Sequence, residues 1–218
     1  MADTPIAEQL NALLADADQP PADVDLVGKL DAYLALLVRW NARMNLTAVR
    51  DTAGILSRHF LESIICARLL PAGVETLLDF GSGAGFPGIP IALCRPEITV
   101  TLAESQGKKA AFLQEAIRTL GISTTVHSAR AELLERRFDC VTLRAVDRMS
   151  EAVRTASALV SPGGWLALMT TEAEFGDLKS CISFLTGEFV VHPLHGTEHR
   201  VLALAQRDER DNPKLESR

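Results

Sequence analysis

Apolar positions in the first forty residues recur three and four places apart, which is helical spacing. Ile6, Leu10, Leu13 and Leu14 form one stripe, and Pro20-Pro21 ends it. Asp23 is placed to cap a second helix, whose stripe runs through Leu26, Leu30, Tyr33, Leu34, Leu37 and Trp40. Ile55 to Leu70 predicts a further helix, stopped by Pro71 and Gly73. From Val74 onward the pattern changes to short apolar runs alternating with helical stretches. Thr76–Phe80, Ile98–Ala103, Thr124–His127, Phe138–Arg144 and Trp165–Thr170 read as strands. Pro87–Cys94, Lys108–Leu120, Ala129–Arg136, Met149–Val160 and Glu172–Leu185 read as helices between and after them. Ser161-Pro162-Gly163-Gly164 reads as a turn. Phe189–Pro193 and Arg200–Ala205 predict two last strands, joined too closely for a parallel crossover and hence antiparallel.

The strand at Thr76–Phe80 runs into Gly81-Ser82-Gly83-Ala84-Gly85-Phe86-Pro87-Gly88. Strand, glycine turn and helix form the first unit of a nucleotide-binding sheet. The glycines can take positive φ and let a ligand approach the backbone. Gly83 to Gly88 matches G-x-G-x-x-G, a weak signal by itself. Asp79 before the turn and Glu104 at the end of the second strand, about 20 residues on, sharpen it. A carboxylate in the second position can accept hydrogen bonds from both ribose hydroxyls of a nucleoside. Dinucleotide enzymes and S-adenosylmethionine enzymes share that arrangement, and the Asp-x-Gly-x-Gly-x-Gly form resembles the methyltransferase one. Five strand–helix units followed by an antiparallel pair point the same way. The expected fold is therefore α/β, a Rossmann-like class I methyltransferase fold. Its mostly parallel seven-stranded sheet would carry an antiparallel last strand and an N-terminal helical extension. Expected divisions are residues 1–72 for the extension, 73–207 for the catalytic domain and 208–218 for a charged tail, frayed from Arg207 on.

Composition narrows the partners. The chain has 218 residues, 47% of them hydrophobic, enough for a sizeable core. A net charge of −6 argues against bulk polyanion binding but leaves room for a local basic patch. Such a patch is expected after the acidic first 31 residues, where Arg39, Arg43, Arg50, Arg58 and Arg68 face only Asp51 and Glu62. The start, Met-Ala-Asp-Thr-Pro, has the form of no secretory signal, and no run is long enough to span a membrane. Cys66, Cys94, Cys140 and Cys181 are scattered without a Cys-x-x-Cys pair, so no metal or disulfide framework is expected.

Three blocks together resemble the glucose-inhibited division protein B family: Trp40-Asn41 with Asn45-Leu46-Thr47-Ala48-Val49-Arg50-Asp51, Arg58-His59-Phe60-Leu61-Glu62-Ser63, and the glycine turn. The match runs from about Trp40 to Leu168. Members of that family methylate guanine N7 in bacterial 16S ribosomal RNA. The resemblance implies S-adenosylmethionine as cofactor, 16S ribosomal RNA or the small ribosomal subunit as partner, a cytoplasmic monomer and no membrane. It places the cofactor against Asp79, Gly81, Gly83, Phe86, Glu104, Ala131, Glu132 and Arg144, with Arg144 also facing the target base as the catalytic residue. Independently of the resemblance, the arginine-rich stretch offers Arg43, Arg50 and Arg58 as phosphate contacts, with Asn45, His59 and Ser63 as RNA-facing candidates beside them; the alternatives are a solvated face and structural, hydrogen-bonded side chains. Arg144 is alternatively a salt-bridge partner of Asp79 or Glu104. One departure stands out: Thr170-Thr171 occupies the place where members often carry Lys-Gly. Methylation of guanine N7 needs no general base, because that nitrogen has a free lone pair. Accordingly, no Asp/Asn-Pro-Pro-Tyr/Phe or Pro-Cys string follows the fourth strand. A small-molecule methyltransferase, a dinucleotide oxidoreductase or an RNA-binding module without chemistry would share parts of this pattern.

Overall fold

The computed structural model describes residues 4–146, 148–178, 189–194 and 199–208. The chain opens with α1 (Ile6–Asp16) and α2 (Val24–Asn41). Asp23 caps α2, its carboxylate accepting the Leu26 N–H at 2.8 Å. Leu30, Tyr33, Leu34 and Leu37 of α2 are buried, so the apolar stripe is a packing face.

The expected single helix from Ile55 is instead three pieces. A short turn α3 (Thr52–Gly54), capped by Asp51, leads into a π-helical segment Ile55–Leu61, which continues as α4 (Glu62–Leu69). Ile55, Leu56, Phe60 and Leu61 stay buried while Arg58 remains exposed and His59 half-buried. Wide π turns of this kind are frequent at functional sites.

Strands β1 (Thr76–Phe80), β2 (Thr99–Ala103), β3 (Thr125–His127), β4 (Phe138–Arg144), β5 (Val160–Thr171), β6 (Val190–Pro193) and β7 (Arg200–Gln206) form one sheet. Their order is β3-β2-β1-β4-β5-β7-β6. The first five are parallel, β7 runs antiparallel to β5, and β6 antiparallel to β7. Helices α5 (Gly88–Cys94), α6 (Gly107–Leu120), α7 (Met149–Ala158) and α8 (Glu172–Leu178) cover it. One buried cluster joins Leu30 and Tyr33 of the N-terminal helices to Leu77 and Val100 of the sheet; the other joins Leu78 and Val141 to Val153 of α7. β1 pairs β2 on one side and β4 on the other, so the strand order reverses beside it. A crevice opens at the carboxyl ends of strands at such a switch point.

Three local expectations are corrected. Ala129–Arg136 holds only a 3-10 turn, Ala131–Leu133. Ser161–Gly164 does not precede β5 but lies within it, as a bulge between the pairs Phe138–Val160 and Cys140–Trp165. Arg207 is no frayed tail residue: it is buried, donates to the Val160 carbonyl at 2.8 Å, and its backbone pairs with Gly163 and Gly164. Carbonyls just ahead of the bulge, of Ser157 and Val160, receive the buried guanidinium. The expected helix beyond Leu178, Cys181 and the tail from residue 209 lie outside the described residues.

Candidate active site

The turn after β1 uses its glycines for two different reasons. A Cβ on Gly85 would lie 2.5 Å from Ile89 and 2.7 Å from the Tyr33 hydroxyl, and one on Gly88 would meet Asp79 at 2.7 Å. Those positions are glycine because the turn packs against its own support. Gly83 has φ +57, and a Cβ there would meet only the Gly81 carbonyl, at 3.8 Å. That side chain would stand in open space, so this part of the turn is a cradle. Gly81, with φ +69, would put its Cβ 3.1 Å from Val146.

Support comes from beneath and behind. The Tyr33 hydroxyl of α2 donates to the Ala84 carbonyl, and its ring packs against Phe60, Phe86 and Phe112. Asp79 is buried; its carboxylate accepts the Thr142 hydroxyl at 3.0 Å and the Gly88 N–H at 3.2 Å. Burial pushes its pKa up to about 6 despite the hydrogen bonds from Ser82, Thr142 and Gly88. Asp79 lines neither of the cavities at the crevice. Its geometry is that of a brace for the turn rather than a ligand contact.

Two cavities meet at the carboxyl edge. The first, about 330 Å³, is lined by Phe80, Gly81, Glu104, Ala131 and Glu132 among others. The second, about 500 Å³, is lined by Thr47, Arg58, His59, Gly83, Phe86 and Arg144 among others. They share Gly81, Glu104, Ser105 and Val146. Glu104 is buried between them, accepting the Gly83 N–H at 3.0 Å on one oxygen and the Gln106 N–H at 2.7 Å on the other. Each carboxylate oxygen keeps further lone-pair capacity for a ligand hydroxyl.

At the far wall stands a buried charge cluster. Arg144, ending β4, lies 3.0 Å from Glu62, and Arg200 donates to the same carboxylate at 2.9 Å. The salt-bridge partner is thus Glu62, not Asp79 or Glu104. Arg144 also donates to the Arg58 carbonyl and to His59 Nδ1 at 3.2 Å. Burial lowers its pKa to about 10, with Glu62 opposing the shift, so it stays charged at neutral pH. Its Nη1 is buried without an acceptor among the described residues.

The local sequence marks neither Glu62 nor Arg200 as a site residue. The signal for Glu62 was a lone carboxylate between Leu61 and Ile64 on an apolar helix, which requires a buried partner. Arg200 reaches this edge because β7 is antiparallel, setting it opposite Thr171 at the carboxyl end of β5. A cation therefore stands beside Thr170-Thr171, where the sequence departs from the family pattern. Lys109 also borders the second cavity.

The expected RNA-facing residues divide. Arg43, Asn45 and Arg50 are exposed, with Arg50 donating to Asn45 at 2.8 Å. Arg58 is exposed and borders the second cavity. Ser63 is fully buried in α4 and out of reach of RNA, which corrects its assignment. His59 is at the cavity wall, but its ring stacks on Phe86 at 4.7 Å and both nitrogens are engaged, Nε2 lying 2.7 Å from Thr47 Oγ1. Burial, with Arg144 and Arg58 beside it, lowers its pKa to about 3. It is a neutral, hydrogen-bonded wall residue, not a cation for phosphate. Arg39 and Trp40 both bond Glu115 of α6, and Arg68 bonds Gln19, so those arginines have partners within the protein.

The model of the GidB family, rRNA small subunit methyltransferase G, matches residues 27–199. The chain belongs to this family. It is 42% identical over 199 residues to the ribosomal RNA small subunit methyltransferase G of Xanthomonas euvesicatoria, covering 89% of this chain and 92% of that one. With its namesake in Stenotrophomonas maltophilia the identity is 45% over 150 residues, 67% of this chain and 70% of that one. Among solved structures, an O-methyltransferase family protein of Burkholderia thailandensis has a TM-score of 0.58 at 14% identity, covering 86% of this chain and 72% of that one. A SAM-dependent O-methyltransferase of Thermotoga maritima has a TM-score of 0.57 at 13% identity, covering 81% and 72%. These two likenesses establish the class I methyltransferase fold. The protein is a methyltransferase of the family that modifies small-subunit ribosomal RNA. Among the described residues, no helix is long and apolar enough to cross a membrane.

Proposed function

We propose that this protein transfers the methyl group of S-adenosylmethionine to N7 of a guanine in 16S ribosomal RNA, free or in the small ribosomal subunit. We place it in the cytoplasm as a monomer. The observation that carries this reading is the pair of joined cavities, with Glu104 between them and Arg144, Arg58 and Thr47 on the outer wall.

The residues present fit the cofactor. Glu104 has free lone pairs for ribose hydroxyls, and Ala131 and Glu132 flank the space suited to adenine. Gly83 leaves the turn open toward the rest of the cofactor, beside Gly81 and Phe86 on the cavity wall. When bound, S-adenosylmethionine supplies a methyl group on a positively charged sulfur. The chain's own task is placement. Guanine N7 carries its lone pair at neutral pH, so no residue needs to remove a proton first. His59 fits that chemistry, since both its nitrogens are occupied within the wall. Arg144 lines the outer cavity with a charged guanidinium, suited to an oxygen of the bound ligand. Exposed Arg43, Arg50 and Arg58, the last of them lining the outer cavity, suit RNA phosphates.

The test uses ribosomal RNA and small subunits from cells lacking the protein, with label on the transferred methyl. The expected product is cleaved by borohydride and aniline at one guanine. Label recovered on ribose or an exocyclic amine overturns the N7 assignment. S-adenosylmethionine should raise the melting temperature and NAD should not; the reverse overturns the cofactor assignment.

A further inference from the structure

Thr47 sits on the wall of the outer cavity, held from several sides. Asn41, buried at the end of α2, accepts the Thr47 N–H at 3.1 Å and donates to the Thr47 carbonyl at 3.1 Å. Its oxygen also accepts the Leu46 N–H at 2.9 Å. The Thr47 hydroxyl oxygen lies 2.7 Å from His59 Nε2 and accepts the Val49 N–H at 3.2 Å.

The direction of this network is determined by its first member. A guanidinium can only donate. Arg144 meets His59 Nδ1 at 3.2 Å, so that nitrogen accepts. The imidazole is neutral at physiological pH, because burial and two neighbouring arginines hold its pKa near 3. A neutral ring with an accepting Nδ1 carries its hydrogen on Nε2. Nε2–H therefore donates to Thr47 Oγ1. A hydroxyl oxygen has two lone pairs, and His59 and Val49 take both. The hydroxyl hydrogen is left to donate, and none of the described residues accepts it. A free hydroxyl can rotate to donate or accept; this one has only the first choice.

We propose that the Thr47 hydroxyl donates to O6 of the target guanine and makes Thr47 a specificity-determining residue. This rests on the guanine-N7 reading above. On the major-groove edge guanine shows N7 beside the O6 acceptor, whereas adenine shows N7 beside an amino donor. N7 alone does not distinguish the two purines. A donor of fixed sense next to it does, because the adenine amino group would face it donor to donor. The relay Arg144–His59–Thr47 supplies that donor from the protein's interior.

The test compares methyl transfer to ribosomal RNA ligated with either guanosine or 2-aminopurine at the target position. 2-Aminopurine keeps N7 and lacks O6. Comparing the ratio of kcat/KM on the two RNAs between enzymes cancels the RNAs' different N7 reactivity. Thr47→Val should prefer guanosine about tenfold less than the parent, the effect of one hydrogen bond. Thr47→Ser should keep the parent's ratio. Equal ratios in all three enzymes overturn the proposal. Should Thr47→Val fail to fold, nitrogen NMR of His59 in the parent decides: hydrogen on Nε2 supports the relay, and hydrogen on Nδ1 overturns it. A failure of the N7 reading would show separately, as parent enzyme methylating guanosine RNA elsewhere than N7.

Discussion

Glu62 of α4 holds two arginines from the strands on either side of β5, lying 3.0 Å from Arg144 of β4 and 2.9 Å from Arg200 of β7. The carboxylate is fully buried and the guanidinium of Arg144 nearly so. Ionised groups so deep are tolerated because each neutralises the other, and removing one leaves the rest exposed to full desolvation cost. The cluster ties the N-terminal helices to the carboxyl edge of the sheet, where Arg144 and Arg200 line the outer cavity.

Glu62→Gln should therefore destabilise the fold by about 3–5 kcal/mol in urea unfolding, the usual effect of breaking a buried pair. A loss below about 1 kcal/mol, the value of an exposed pair, would contradict this account.

The glycine turn separates folding from binding. Gly85→Ala should impair folding, because its Cβ meets Ile89 and Tyr33. Gly83→Val meets no such obstacle and should fold at a backbone cost of roughly 1–3 kcal/mol while losing S-adenosylmethionine. Glu104→Ala should weaken the cofactor by about 1.5–3 kcal/mol. Titration calorimetry checks the two binding losses; wild-type affinity in both variants would remove the cofactor from this turn.

The exposed arginines Arg43, Arg50 and Arg58 should contribute to RNA affinity through counterion release. Replacing Arg43, Arg50 or Arg58 with alanine is expected to lower the slope of log affinity against log salt by about 0.7–0.9 each. Cofactor affinity should not change. Arg39→Ala is the internal control: its partner is Glu115, so the slope should stay with the parent's. If all four variants keep the parent slope, these arginines do not contact phosphate.

His59 should impose a pH signature on stability. Its pKa is about 3 in the folded protein, against an unperturbed value of roughly 6.5. The unfolded chain alone therefore takes up this proton between those values. Stability from His59 is present above about 6.5 and lost as pH falls toward 3, by about 1.4 kcal/mol per pH unit. Asp79 acts oppositely. Its folded pKa is about 6, so its contribution is present below the unfolded value of about 3.9 and lost as pH rises through 6. The two nearly cancel in the parent between pH 4 and 6. The stability difference between parent and His59→Gln isolates the histidine and should shrink by about 1.4 kcal/mol per unit from pH 6.5 to 4. A difference independent of pH would mean that His59 is freely protonated in the folded state.

Local pattern determined the elements around the site. The apolar run of β1 and the glycines after it, Asp23 before α2 and Glu104 at the end of β2 each carry their reason within a few residues. Chain alternation from Val74 likewise sets the parallel sheet, since short strands with helical crossovers allow little else. Tertiary structure decided what the charges do. Asp79, legible as an acid at a glycine turn, became a brace because Thr142 of β4 and Gly88 approach it. Ser63, legible within a motif, turned inward on α4. Glu62 and Arg200 are 138 positions apart and meet only because β7 runs against β5, bringing its first residue to the edge where the parallel strands end. No window of sequence contains that meeting. It arises from the direction of one strand, and the burial that follows converts three separate ionisable side chains into one charged unit.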